Sequence, residues 1–408
     1  MAADALSRLS LTIPPPALSK TPSPQTRMSN FRYVQDGRDT RIYDSAGTLL
    51  NKHDDLWFAD GSIIMQAEST LFRVHKSYLS RHSVLFKDIF MLPQPPRSRS
   101  RSVGSEVLDS AVLEELESCP VVFLHDKAQD VTVFLRALYD GCDWGNNNRA
   151  DFEVVSGILR LATKYIVDSL REKALKHIST AWPSTLKGWD AREDVGRAFE
   201  METSTSSGHF YPSPIAVINL AREVDAPSLL SSAFYDLCRY TYSQIYEPVE
   251  DEPLHQSPDA SPLSSLDMRR LSLGKEAAQH SITNLIQHLG HAQTAQRQVS
   301  HLRKNSIHAI CLSAAACRKD FVELTQLATQ HYLFDRERGH CDPLYVSEEI
   351  GQLKSADISE CKACARALES WAARERQKIW QMIPVWFKIE IPLDTPISPA
   401  SPTTTTSL

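Results

Sequence analysis

Between Asp54 and Val74 the apolar positions fall in three short runs, DDLWFA, SIIMQAES and LFRV. Asp60-Gly61 separates the first two, a dipeptide that predicts a β-hairpin, and LFRV reads as a third strand. From His75 the period lengthens. Leu79, Ser83, Phe86 and Phe90 are spaced by four, three and four residues, which puts them on one helical face. Pro93 stops that helix. PQPPRSRSRSVGS follows as a flexible loop, VLDSAVLEELES as a short helix and PVVFLH as a buried strand. DVTVFLRALYDG is a helix with Asp130 as cap and Gly141 as stop. FEVVSGILRLATKYIVDSLREKALKHIST predicts two helices, and IAVINLAREVD with SLLSSAFYDLCRYTYSQIY another pair joined at Pro227.

The flanking segments lack such periods. Residues 1–30 are rich in Ser, Thr and Pro and 31–50 are ambiguous, so 1–50 is expected to be a mostly disordered N-terminal segment. Residues 247–262 form an acidic, proline-rich linker, 263–391 a helical C-terminal region, and 392–408 a disordered tail. There is no repeat of fixed period. The expected architecture is an α+β domain over 51–142, a helical extension over 143–246, and the separate helical region beyond the linker. A protease-resistant core is expected over about residues 51–246.

Composition narrows the function classes. The 408-residue chain is 42% hydrophobic and 23% charged, with 23 prolines and a net charge of -6. That balance gives no general attraction to nucleic acid or to an anionic membrane. No apolar run reaches the roughly 18 residues that a membrane helix needs. MAADALSRLSLTIPPP carries Asp4 and prolines where a signal peptide has an apolar stretch. Eight cysteines are too sparse for a disulfide scaffold, and there is no Asn-x-Ser/Thr acceptor. An intracellular setting, cytoplasm or nucleus, is expected.

The order strand, hairpin, strand, helical pair, strand, helix, helical pair, together with Phe72, His75, Lys76, Leu79, Ser83, Phe86 and Phe90, resembles the BTB/POZ domain. That family's pattern is Phe-x-x-His-Lys/Arg-x-x-Leu-x-x-x-Ser-x-x-Phe-x-x-x-Phe. Asp55 matches the acidic residue opening the family's first strand. FLRALYDG resembles the family's later helix end at Phe134, Leu138 (one position late), Tyr139 and Gly141. The resemblance covers 51–142. The helices to about 246 resemble those of a large fungal group of BTB proteins, in which a Leu-Ala-Arg-Glu stretch, here Leu220 to Glu223, also occurs. YVQDGRDTRIYDSAGTLLNKHD departs from the family's domain-swapped members, since it has two glycines and no helical period, and the loop Pro93–Ser118 is longer than usual.

The motif residues have physical roles of their own. Leu79, Phe86 and Phe90 each contribute about 1.5–3 kcal/mol on burial. His75 sits at a strand-to-helix junction where backbone groups need partners. Ser83 is small and can hydrogen-bond within its helix. These are structural roles. No phosphate-binding Gly loop, His-Glu-x-x-His, Gly-x-Ser-x-Gly or EF-hand pattern is present, so neither an enzyme nor a cofactor is expected.

Cys361-x-x-Cys364, with Cys311, Cys317, Cys341 and His340 upstream, raises a zinc reading. There is no second Cys-x-x-Cys, and residues three apart share a helix face, so two buried helix-packing thiols are expected and no metal ligand. RSRSRS at 97–102 reads as a solvated loop and RRLS (Arg269 to Ser272) as an accidental kinase-site match. The five histidines from His280 to His308 read as a polar surface.

The expected function is that of a protein–protein interaction scaffold or adaptor, a homodimer or hetero-oligomer through the BTB-like domain. The resemblance implies two classes of partner. One is a cullin ubiquitin ligase, met through a hydrophobic-x-Glu element whose nearest match is Leu113-Glu114-Glu115, with Phe90, Leu113, Glu115 and Leu116 as contact residues. The other is a corepressor, met by a transcriptional regulator through a groove lined by Asp55 and Lys76. There are no kelch repeats, zinc-finger array or basic recognition helix.

Overall fold

In the computed structural model, the residues described are 31–36, 39–92, 119–203, 210–248, 254, 261–289, 311, 314–334, 340–352 and 361–389. The expected disorder of 1–30 and 392–408, the helix VLDSAVLEELES, RSRSRS and most of the acidic linker lie outside them. The chain is a mixed α+β protein that divides into two compact units, Met1–Asp140 and Gly141–Leu408.

The first unit is built on a six-stranded sheet in the order β1-β2-β3-β5-β4-β6. Its strands are β1 (Arg32–Asp36), β2 (Asp39–Tyr43), β3 (Leu49–Trp57), β4 (Ile63–Ala67), β5 (Thr70–Val74) and β6 (Val121–Leu124). Residues 31–36 and 39–50 are thus not the disordered segment expected from their sequence. They form β1, β2 and the start of β3, with the Asp44 carboxylate accepting from the N–H groups of Ala46 and Thr48 to hold the β2–β3 turn.

Asp60-Gly61 does not close a hairpin ladder. β3 pairs in parallel with β5, and β4 pairs with β5 antiparallel and with β6 in parallel. The tight hairpin is β4–β5, turning at Glu68-Ser69 with Glu68 at φ 49°. Gly61 is needed for close approach instead. A Cβ there would lie 2.7 Å from Arg73 Cγ and 3.0 Å from the Arg73 backbone. All five residues of β4 are buried, as expected of a central strand covered on both faces.

Helices α1 (Lys76–His82), α2 (Val84–Met91) and α3 (Ala128–Tyr139) complete the first unit. The single face expected from Leu79 to Phe90 is broken at Ser83, whose φ of -130° is extended and whose hydroxyl accepts the Phe86 N–H as the cap of α2. Asp130 is not the cap of α3 either. That helix starts two residues earlier, and the Ala128 N–H is taken by the Glu68 carboxylate from the β4–β5 turn at 2.9 Å.

The second unit is helical: α4 (Arg149–Lys164), α5 (Asp168–Ala181), α6 (Leu186–Thr203), α7 (Pro214–Glu223), a 3-10 turn at Pro227–Leu229, α8 (Leu230–Cys238), α9 (Tyr242–Tyr246), α10 (Ser265–His288), α11 (Ala314–Thr329), α12 (Pro343–Gln352) and α13 (Lys362–Trp386). The expected division at 247–262 does not hold. One continuous core runs from Val155 to Ile389, with Trp189 tilted against Trp380 at 5.8 Å and Phe234 stacked on Phe387 at 5.3 Å. No described helix is long and apolar enough to cross a membrane.

Candidate functional site

The two stretches that carry the sequence motif meet at His75. The His75 backbone N–H donates to the Tyr139 hydroxyl at 3.0 Å, and that hydroxyl is 3.0 Å from His75 Nδ1. His75 Nε2 lies 3.1 Å from Asp60 Oδ1. The set is satisfied when the phenol donates to Nδ1 and Nε2–H donates to the carboxylate. The hydrogen bond from His75 holds the Asp60 carboxyl below its ordinary range, and burial pushes the Tyr139 phenol up. Tyr139 is stacked between Phe58 and Tyr78, at 4.9 and 4.6 Å, and the Tyr78 hydroxyl donates to the Leu138 carbonyl. Phe58 and Tyr78 were outside the motif reading, although their aromatic character at a strand end and in a first helical turn was visible.

The remaining motif residues divide by burial. Phe72, Leu79, Ser83 and Phe86 are buried. Phe90 is half-buried and stacks on Phe86 at 5.8 Å, with Lys76 Nζ over its ring at 5.9 Å. Asp55 is not paired with Lys76. Its carboxylate takes Arg136 at 2.6 Å, an exposed pair of small energetic value. On α2 the side chains of Val84 and Met91, two turns apart, are 59% and 70% exposed. Leu113, Glu115 and Leu116 lie outside the described residues.

In the second unit, Leu220 is buried, Arg222 pairs with Asp267 at 2.8 Å and Glu223 with Arg160 at 2.9 Å, so the Leu-Ala-Arg-Glu stretch ties α7 to α10 and α4. A buried charge network that the sequence did not reveal lies nearby. Arg192 bonds Asp236 at 2.7 Å and Glu193 at 2.6 Å, and its guanidinium lies within 5 Å of the Trp182, Trp189 and Tyr211 ring centres. Arg239 bonds Glu193 and Asp236 from the other side. Burial alone would raise the Asp236 carboxyl, but the two guanidiniums outweigh it and hold Asp236 below its ordinary value. Lys275, also buried, donates to the carbonyls of Cys238 and Tyr240 at the C-terminal end of α8, where a helix dipole favours a cation. These groups are held by one another or by backbone carbonyls, with the buried Arg192 Nε left without a hydrogen-bond acceptor, and their mutual pairing marks them as structural.

The cysteines are arranged differently from the expectation of two packing thiols. Cys361 and Cys364 open the last helix, as the sequence indicates. Cys361 is the non-helical residue preceding α13, and Cys364 is in the first turn. Cys317 comes from the first turn of α11, and Cys311 from the chain before it. The four thiol sulfurs all lie within 4.8 Å of one another, with Cys311 and Cys317 at 3.5 Å. Burial and the neighbouring thiols push the Cys364 thiol well up. His340 and Cys341 are not members. Cys341 instead packs beside Cys238, whose thiol donates to its carbonyl. Among the described residues, which include all eight cysteines, none forms a disulfide.

No protein-family model and no curated protein sequence matches this chain.

Proposed function

We propose that the first unit is a BTB/POZ-type interaction module and that the chain works as a protein-binding scaffold or adaptor without chemistry of its own. The observation that carries this reading is the meeting of His75 with Tyr139. The two sequence stretches on which the resemblance rests, 64 residues apart, form one hydrogen-bonded and stacked cluster. Its groups are consumed by the fold, so the surface left for function is the helical one. There, Val84 and Met91 expose apolar side chains on one face of α2 beside Lys87 and Asp88. A few buried apolar anchors with charges at the rim are what a protein interface uses.

Of the two partner classes, the cullin-type ligase is the one that would meet a helical surface such as the exposed face of α2. Asp55 takes Arg136 and Lys76 lies over Phe90, so these two residues do not satisfy each other within the chain, and the corepressor groove is kept as the second reading. The test is titration of the purified chain against the N-terminal domain of a cullin from the same cell. Binding is expected, and a Val84→Asp/Met91→Asp variant should lose it at least tenfold while melting with the parent. Absence of binding by the parent chain sinks the adaptor reading. Binding unchanged in the variant moves the contact surface off α2.

A further inference from the structure

We propose that Cys311, Cys317, Cys361 and Cys364 bind one structural zinc ion as a tetrahedral four-thiolate site. Zn–S bonds of about 2.3 Å at tetrahedral angles require sulfur–sulfur edges of about 3.8 Å. The observed sulfurs bracket that length, at 3.5 Å for Cys311–Cys317 and no more than 4.8 Å for any pair. A disulfide needs about 2.0 Å. Two thiols sharing one helix face would explain Cys361 and Cys364 alone. They do not explain why two further thiols, carried by a different segment, converge on the same point.

The local backbone fits this assignment. Cys361 has φ -82° and ψ 88°, outside the helical region, so Cys361-x-x-Cys364 wraps the turn into α13 rather than running along its side. Both sulfurs thereby turn to one point, as a Cys-x-x-Cys ligand pair must. Cys317 and Cys364 each sit in the first turn of a helix, where the dipole and the backbone N–H groups favour negative sulfur. Cys317 and Cys364 are buried and Cys311 and Cys361 half-buried. On binding, four S–H bonds are replaced by four Zn–S bonds and four protons pass to solvent, leaving the site with a charge of about -2 that the two helix ends offset. All four coordination positions are filled by protein, so the ion has no open position for a substrate. Its role is to fix Cys311 and the start of α11 onto the start of α13.

Elemental analysis of the full chain, purified without chelator, is expected to give one zinc per chain. Replacing it by Co(II) should give the intense red d–d bands and near-ultraviolet charge transfer of a four-thiolate tetrahedron. Cys361→Ser/Cys364→Ser should hold less than a tenth of the parent's zinc, and Cys142→Ser, outside the cluster, should hold all of it. If the double variant does not fold, zinc content and the cobalt spectrum of the parent chain decide alone. A parent chain without metal overturns the proposal. So does one iron in place of zinc, a mass deficit showing that any two of the four thiols are joined in a disulfide, or a folded double variant that retains its zinc.

Discussion

One phenol serves two atoms of one histidine. Tyr139 takes the backbone N–H of His75 and lies at hydrogen-bond distance from its ring Nδ1, so the end of α3 is fastened to the junction of β5 and α1. Tyr139→Phe keeps the stack on Phe58 and Tyr78 but leaves both nitrogens of His75 without this oxygen. The expected loss is about 1–3 kcal/mol, the usual range when a partly buried donor is orphaned. An unchanged urea midpoint for the first unit's transition would show that water replaces the phenol at no cost.

Asp236→Asn removes the carboxylate that both Arg192 and Arg239 engage. Breaking one partner of a buried pair costs about 3–5 kcal/mol, because the guanidiniums remain desolvated. The same carboxylate sets an acid dependence. Its folded pKa lies below the ordinary value, so its stabilisation is complete above an unfolded pKa of about 3.9 and is lost as pH falls through the lower folded value. Urea unfolding between pH 7 and pH 3 should show this loss in the parent and a flatter profile in the variant. Equal slopes in both would assign the acid sensitivity to other carboxylates.

Gly274→Ala sets helix propensity against packing. Alanine is favoured by about 1 kcal/mol inside a helix. At Gly274, though, the added Cβ would fall 1.9 Å from Cε1 of the Phe387 ring, which is held against Phe234. Packing wins, with a net destabilisation of about 1–3 kcal/mol. Phe387→Leu in the same chain should recover part of it. A higher melting temperature for Gly274→Ala alone would mean that α10 and Phe387 are not in contact.

A chain ending at Tyr246 should not keep the native packing of the second unit. It lacks Trp380 and Phe387, the partners of Trp189 and Phe234, and Asp342, which accepts from the Tyr235 hydroxyl at 2.6 Å. Near-ultraviolet circular dichroism of the tryptophans is the measurement, and a native-like spectrum would restore the division at the acidic linker.

What the sequence disclosed and what it hid follow from distance along the chain. The 3.6 period of α4 and α5 and the apolar runs of β4 and β5 are local, and both were visible. Asp60-Gly61 was misleading because a turn dipeptide carries no information on whether its flanking strands become neighbours. β5 inserts between them, and the real hairpin turns on Glu68-Ser69, which has no turn signature. Residues 41–50 look unpatterned because, among them, Ile42 and Leu50 are the fully buried side chains. The His75–Tyr139 cluster is half visible, since the sequence marks both residues but not their contact. The cysteine cluster was hidden for the same reason: spacing shows Cys361 and Cys364 together and says nothing of where Cys311 and Cys317 fold back.

The parallel pairing of β4 with β6 has a consequence for synthesis on the ribosome. β4 is buried along its whole length, and its second neighbour is encoded more than 50 residues later. At about 5–20 residues per second, the nascent chain holds β4 and β5 for several seconds before Val121–Leu124 is translated. Through that interval one side of an apolar strand presents unpaired amides and carbonyls, open to the wrong partner. Chains interrupted before Leu124 should therefore be the insoluble ones, and occupancy by a chaperone should peak while the segment between β5 and β6 is being made.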